Sequence, residues 1–301
     1  MACRLTMPHL FCFGLGYCAQ ALIARLASQG WVVSGTNRDG SPLEHSSRVW
    51  RFDGSAKLPD GALVGVTHLL ISIPPDQVGG DPVLRFNERA IAKAAPHLAW
   101  CGYLSTTGVY GDRGGEWVDE DSALTPATGR GHRRLEAERA WLGLFVQDGL
   151  PLHIFRLAGI YGPGRNQFVA LQEGKARRIV KPGQVFSRIH VDDVAGVLQA
   201  SIAKPRPGRI YNVCDDEPCP PQDVIAYAAH LLGRPAPPEI AFEDAELSPM
   251  ARSFYVESKR VANRRIKEEL GYWLHYPTYR EGLAALLPLN PLPRQVLKPP
   301  S

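Results

Sequence analysis

Phe11-Cys12-Phe13-Gly14-Leu15-Gly16-Tyr17-Cys18-Ala19 decides how this chain is read. The run from His9 to Phe13 is short and apolar, as a buried strand requires. It breaks into Gly14-x-Gly16-x-x-Ala19 and continues with apolar residues at Ala19, Leu22, Ile23 and Leu26, a helix that Gly30 ends. Each small residue has a physical task. Gly14 permits the tight turn, Gly16 lets backbone approach a pyrophosphate, and Ala19 lets helix pack closely on strand. The helix N-terminus offers unpaired N–H groups and partial positive charge to the phosphates. With a second strand following at Trp31 to Gly35, the stretch reads as a dinucleotide-binding unit. Gly14, Gly16, Tyr17 and Ala19 are its expected cofactor contacts.

Downstream, the second strand runs into Ser34-Gly35-Thr36-Asn37-Arg38-Asp39, where such a unit meets the adenosine ribose. An acidic residue there accepts from the 2′-hydroxyl of NAD, whereas arginine accommodates the 2′-phosphate of NADP. Arg38, beside Asn37, favours NADP, while Asp39 one residue along keeps NAD open. Val49 to Phe52 reads as a third strand, and Asp53 after it is a candidate to border the adenine. Thr67 to Ile73 is a further strand stopped by Pro74-Pro75, with Ser72 expected where the cofactor passes. A helix over 81–98 and a strand at Trp100 to Leu104 follow. Short apolar strands alternating with amphipathic helices define an α/β class with a doubly wound parallel sheet.

Bulk properties bound the function. The chain of 301 residues accommodates one large core or two lobes around a cleft. A net charge of +4 is too small to demand nucleic acid and is compatible with anionic small molecules. Cys3, Cys12, Cys18, Cys101, Cys214 and Cys219 form no CxxC or Cys/His metal spacing, so reduced thiols in a cytoplasmic protein are expected. Arg4 followed by apolar residues resembles a signal peptide, but polar residues resume at Gln20 and Arg25; neither export nor a membrane span is expected.

Leu104-Ser105-Thr106-Thr107-Gly108-Val109-Tyr110-Gly111 lies at a strand's C-terminal end, where open α/β sheets place ligands. It resembles the Ser-Ser-x-x-x-Val-Tyr-Gly pattern of the extended short-chain dehydrogenase/reductase family, which includes NAD-dependent epimerases and dehydratases of nucleotide sugars. Arg156 to Gly164, Arg188 to Ala195, Tyr211 to Val213 and Tyr276 to Leu283 resemble further family segments in the same order, so the resemblance spans about residues 9–287. It implies a Rossmann-type NAD(P)-binding domain of residues 7–164 with 188–215. A smaller substrate lobe would comprise 165–187 with 216–290, and a tail 291–301. It also puts Thr106 in the position of the catalytic Ser/Thr and Tyr110 in the cleft.

One departure from the resemblance is chemical. Family members carry Tyr-x-x-x-Lys on the next helix, the tyrosine exchanging a proton with substrate. Between Pro126 and Glu138 this chain has no tyrosine, and the two positions fall on Arg130 and Arg134. Arginine is not deprotonated in proteins, so Arg130 cannot be an ordinary proton shuttle, although it can stabilise an oxyanion. Arg134 can still donate to ribose hydroxyls. His132 has a suitable intrinsic pKa, yet it lies about 200° round the helix from Arg130 and faces away. Thr106 or Tyr110 with Arg130 is therefore the expected relay. The alternative is a cofactor site that has lost its chemistry.

In the second lobe, Lys175, Arg177, Arg178 and Lys181 can hold phosphate or simply end a helix, and Arg188 is the expected substrate contact. Asp192-Asp193 looks like a metal pair, but the resemblance makes it a loop-to-helix junction, and no metal is expected. Asp215-Asp216-Glu217 reads as a loop. Helices are expected at Gln222 to Leu232, Ser258 to Leu270 and Thr278 to Leu287, the last with Thr278 and Glu281 spaced as a capping box. The proline-rich tail beyond Pro288 is expected to be extended, and there is no internal repeat.

Together these readings imply an NADP(H)-dependent epimerase/dehydratase-like oxidoreductase on a small polar carbonyl or nucleotide-sugar substrate. The composition allows a homodimer and points to neither nucleic acid nor membrane as partner. A non-catalytic NADP(H)-binding redox sensor is the rival reading.

Overall fold

The structure, a computed structural model, describes residues 7–287, so the expected tail lies outside the described residues. In β1 (His9–Phe13), Leu10 and Cys12 are buried on one face and Phe11 and Phe13 on the other. A strand apolar on both faces needs cover on both. α1 (Tyr17–Ala27) supplies it on the Leu10 face through Ala19, Leu22, Ile23 and Leu26.

The chain continues through β2 (Val32–Asn37), β3 (Arg48–Arg51), β4 (His68–Ile71), α2 (Pro82–Ala94), β5 (Trp100–Thr106) and α3 (Gly129–Asp148). After the strand Leu152–Leu157 come α4 (Gln167–Gln172), α5 (Val191–Ala203) and the strand Ile210–Val213. The central sheet runs in the order Ile210–Val213, Leu152–Leu157, β5, β4, β1, β2, β3, and every neighbouring pair is parallel. α5 joins α1 on one face, while α2 and α3 cover the other with Val83, Ile91, Trp141 and Leu144. This is the expected doubly wound sheet. The strand order reverses between β1 and β4, and the crevice beyond their C-terminal ends is where such sheets bind ligands.

Caps account for several boundaries. The buried Asp81 carboxylate accepts from the N–H groups of Val83 (2.8 Å) and Leu84 (3.3 Å) and from Trp141 Nε1 (2.8 Å), fixing the start of α2 and tying it to α3. α2 ends at Ala94, and a 3₁₀ turn at Ala95–His97 completes the expected helical stretch around Pro96. Asp192 and Asp193 occupy the first turn of α5 as expected. Asp193 also accepts from Tyr272 Oη and from the His275 and Tyr276 amides. The helix Tyr279–Leu286 carries the Thr278/Glu281 capping box.

Beyond the sheet, Tyr161, Phe168, Val224, Ala228, Leu232, Tyr279 and Leu283 form a separate apolar cluster. One expectation fails here. Residues 258–270 are not one helix: Arg260–Val261 is a strand pairing in parallel with Trp117–Val118, and the helix begins at Arg264. Val261 is held in the cluster of Val109, Tyr110, Val118 and Leu135, and Asn263 Nδ2 donates to Cys214 O at 2.8 Å, so packing overrides local helix propensity. The five described cysteines are free and buried. Among the described residues no helix is long and apolar enough to cross a membrane.

Candidate active site

The glycine turn is pinned from both sides. Gly14 has φ +90°, and an added Cβ would lie 2.8 Å from both Ser72 Oγ and Ile73 Cγ1. Its N–H donates to Thr36 Oγ1 at 3.0 Å, the Leu15 N–H donates to Thr36 O at 2.8 Å, and Ser72 Oγ donates to Gly14 O at 2.5 Å. Ser72 thus clamps the turn besides lining the cavity below. Gly16 differs: its φ is ordinary, and a Cβ there would meet nothing within 4 Å. The start of α1 has no side-chain cap and no acidic residue in its first turn, and Gly16, Tyr17 and Cys18 all line the cavity. An uncapped helix N-terminus beside a Cβ-free approach fits a diphosphate. Ala19 is fully buried where helix meets sheet.

At the end of β2, Asn37 shapes the loop, donating from Nδ2 to Ser41 O (2.9 Å) and accepting the Gly40 N–H (2.6 Å). Asp39 is occupied with Ser41, accepting from its amide (3.1 Å) and hydroxyl (2.8 Å), which holds its carboxyl below the usual range. Arg38 is exposed and has no side-chain partner among the described residues. Asp53 accepts from the Ser55 hydroxyl (2.5 Å) and amide (3.1 Å) and from Arg51 Nη2 (3.1 Å), so it faces its own loop.

A cavity of about 690 Å³ opens between the glycine turn, the end of β5, the start of α3 and residues 253–261. Thr106 ends β5, half-buried in the cavity wall, where its Oγ1 accepts the Gly108 N–H at 3.2 Å and caps a 3₁₀ turn over Thr107–Tyr110. That turn sends Tyr110 the other way. Tyr110 is fully buried outside the cavity lining, donates to Asn212 Oδ1 at 2.7 Å and accepts from Arg156 Nη1 at 2.9 Å; burial pushes its pKa up to about 12. Tyr110, expected in the cleft, therefore lies outside the cavity and in a buried network. In that network Arg156 grips Glu138, to which Ser105 Oγ also donates, and Glu120 accepts the Asn212 amide at 2.8 Å.

The start of α3, capped by Thr128 Oγ1 on the Gly131 amide, delivers both arginines to the cavity. Arg134 donates from Nη1 to Tyr103 Oη (3.0 Å) and Leu104 O (2.9 Å), against the end of β5. Arg130 is exposed and stacks over the Phe254 ring at 4.4 Å. His132 is exposed and lies outside the lining. Arg188 lines the cavity, but its Nη1 is already committed to Phe186 O (3.0 Å) and Cys219 Sγ (3.1 Å).

Sequence reasoning missed Arg165, Phe254, Glu257 and Lys259, all cavity-lining. Lys259 and Glu257 form an ion pair at 2.6 Å with side chains 10% and 11% exposed. Among the described lining residues, Arg130, Arg134, Arg165, Arg188 and Lys259 face a single carboxylate, that of Glu257. Such a cavity favours an anion.

The fold and the glycine turn define a Rossmann-type protein, and comparisons narrow the class. No family model matches the chain. Protein YeeZ of Escherichia coli K12 is 30% identical over 290 residues, covering 90% of this chain and 97% of its own. A conserved protein of unknown function from Silicibacter pomeroyi has a solved structure 56% identical, with TM-score 0.86 over 93% of this chain and 98% of that one. A Methylobacillus flagellatus structure assigned to the NAD-dependent epimerases/dehydratases is 28% identical, with TM-score 0.71 over 94% and 98% of the two chains. A Streptomyces 3-diazoavenalumate denitrifying reductase is 26% identical, covering 89% of this chain and 96% of its own. Bacillus cereus UDP-glucuronic acid 4-epimerase in complex with NAD, 18% identical with TM-score 0.72 over 92% and 94%, shares the fold. The chain belongs to the extended short-chain dehydrogenase/reductase family, that of the NAD-dependent epimerases and dehydratases. The Streptomyces relative is named as a reductase, which does not favour the redox-sensor reading.

Proposed function

We propose that the protein is an NADP(H)-dependent oxidoreductase of the epimerase/dehydratase type, acting on a small anionic carbonyl compound or nucleotide sugar. The observation that carries this reading is one cavity bounded on one side by the uncapped α1 N-terminus and on the other by five cations. Gly14 and Gly16 would admit the diphosphate to α1, and Arg134 would offer its remaining donors to the ribose next to the nicotinamide. Arg38, just past β2 and without a side-chain partner among the described residues, would take the 2′-phosphate, while Asp39, the rival that would accept from an NAD 2′-hydroxyl, has its Oδ1 engaged by Ser41. When bound, the cofactor supplies or accepts hydride. The chain's part is to orient the carbonyl, with the Thr106 hydroxyl and Arg130 polarising its oxygen, and Arg165 and Arg188 holding the anionic end. The segments 165–187 and 216–287 serve as the substrate lobe.

Fluorescence titration with NADPH and NADH tests the cofactor half. NADPH should bind at least about tenfold tighter, and Arg38→Ala should abolish that preference. Equal affinities in the native protein would overturn the NADP assignment.

A further inference from the structure

The proposed chemistry lacks a proton donor, and the cavity lining leaves few candidates. Arginines do not release protons near neutral pH. Tyr17 donates its hydroxyl to Pro163 O at 3.0 Å and Tyr161 to Thr278 O at 3.4 Å; burial pushes Tyr17 up to about 12 and Tyr161 further. The Cys18 thiol lies in the first turn of α1, on the side of the cavity that fits the diphosphate. Ser105 is bound to Glu138, and the aliphatic hydroxyl of Thr106 can polarise an oxygen but not yield its proton.

Lys259 remains. The parallel pairing of Arg260–Val261 with Trp117–Val118 sets it in the wall, and two further bonds lock the segment: Ser258 N–H to Asp112 Oδ1 (2.7 Å) and Arg113 N–H to Ser258 O (3.0 Å). Its Nζ donates to Gly111 O at 2.7 Å, at the end of the turn that Thr106 caps, and to Glu257 Oε2 at 2.6 Å. An ammonium has three N–H groups, so one is left for a ligand. Glu257 Oε1 is buried without a hydrogen-bond partner, so the pair also has a spare acceptor. The wall thus holds a donor and an acceptor within one ion pair.

We propose that Lys259 is the catalytic proton donor and acceptor of this enzyme, with Glu257 as its positioning residue. The assignment rests on the carbonyl-reductase reading above. A nicotinamide held in the cavity would supply the hydride that forms the new C–H bond, being oxidised in turn, while the C=O π pair of the substrate moves to its oxygen. The resulting alkoxide takes a proton from Lys259 Nζ: N–H breaks, O–H forms, and the neutral amine regains a proton from water entering the cavity that it lines. Alkoxide is far more basic than an alkylamine, so the transfer runs downhill, and oxidation runs the same proton transfer in reverse.

The test uses the full-length protein with NADPH against a panel of 2-oxo acids, phosphorylated aldoses and ketoses, and nucleoside diphosphate sugars. Lys259→Arg keeps the charge and the bond to Gly111 but cannot release a proton. Its kcat should fall about 100-fold with KM and NADPH affinity within about threefold. Lys259→Ala should be equally slow and regain at least about tenfold with added methylammonium, more with more basic amines. Lys259→Arg keeping more than about a tenth of native kcat would overturn the proposal, as would failure of amines to rescue Lys259→Ala with NADPH binding intact. Loss of NADPH binding in Lys259→Arg would assign the lysine to holding the turn and overturn it too. A native protein that binds NADPH but reduces nothing in the panel would sink the carbonyl reading, and the proton role with it.

Discussion

Arg156 holds Glu138 bidentately, Nη2 to Oε2 at 2.8 Å and Nε to Oε1 at 3.2 Å, with both side chains only 2% exposed. The pair joins α3 to the strand Leu152–Leu157 directly behind the wall that carries Thr106. Removing one partner strands a buried charge. Glu138→Ala should therefore lower stability by about 3–5 kcal/mol, while Glu138→Leu with Arg156→Met should restore most of that loss. Urea unfolding of the two variants measures it; equal loss in single and double variants would show the pair is not the source.

The two glycines of the turn make opposite predictions. Gly14→Ala forces a Cβ to within 2.8 Å of Ser72 and Ile73 at φ +90° and should destabilise the fold by at least ~1–3 kcal/mol. Gly16→Ala adds a Cβ that meets no protein atom within 4 Å, so thermal stability should stay native while NADPH affinity drops about tenfold or more. Calorimetry and nucleotide titration on both variants separate the effects, and undiminished affinity in Gly16→Ala would place the phosphates elsewhere.

Thr106 touches the cavity, but among the described residues its side chain contributes only one bond to the fold, to the Gly108 amide. Thr106→Ala should leave NADPH binding intact and lower kcat by about 100-fold, as loss of one oxyanion donor does. Thr106→Ser should recover most of the rate. Kinetics on a substrate found in the panel would decide.

His153 gives a pH prediction. It is fully buried, its Nε2 accepts the Arg206 N–H at 2.7 Å, and burial lowers its pKa to about 4. Its unfolded value is near 6.5, so the unfolded chain binds more protons between about pH 6.5 and 4. Stability should accordingly fall on acidification through that window, by at most about 1.4 kcal/mol per unit from this residue. His153→Gln should flatten the slope in urea titrations at stepped pH, and an unchanged slope would assign it to other groups.

The sequence carried what depends on short spacing. Gly14, Gly16 and Ala19 lie where a strand-to-helix turn must put them, and the Thr278/Glu281 cap was legible for the same reason. Tyr110 shows the limit: spacing put it four residues after Thr106, but the intervening 3₁₀ turn directs its ring into the core. Lys259 was lost for a different reason. Its segment is fixed by pairing with Trp117–Val118, far away in the chain, and no local period announces such a strand. The cationic wall assembled from α3, Arg165, Arg188 and Lys259 likewise exists only after folding.

The network running from Ser105 through Glu138 and Arg156 to Tyr110 and Asn212 has one more consequence. The turn presenting Thr106 hangs from bonds shared by α3 and three neighbouring strands, so it cannot fray as a surface loop does. Amides around it should exchange with solvent only when the whole sheet opens, and gradual heating should extinguish turnover at the same midpoint as the secondary structure.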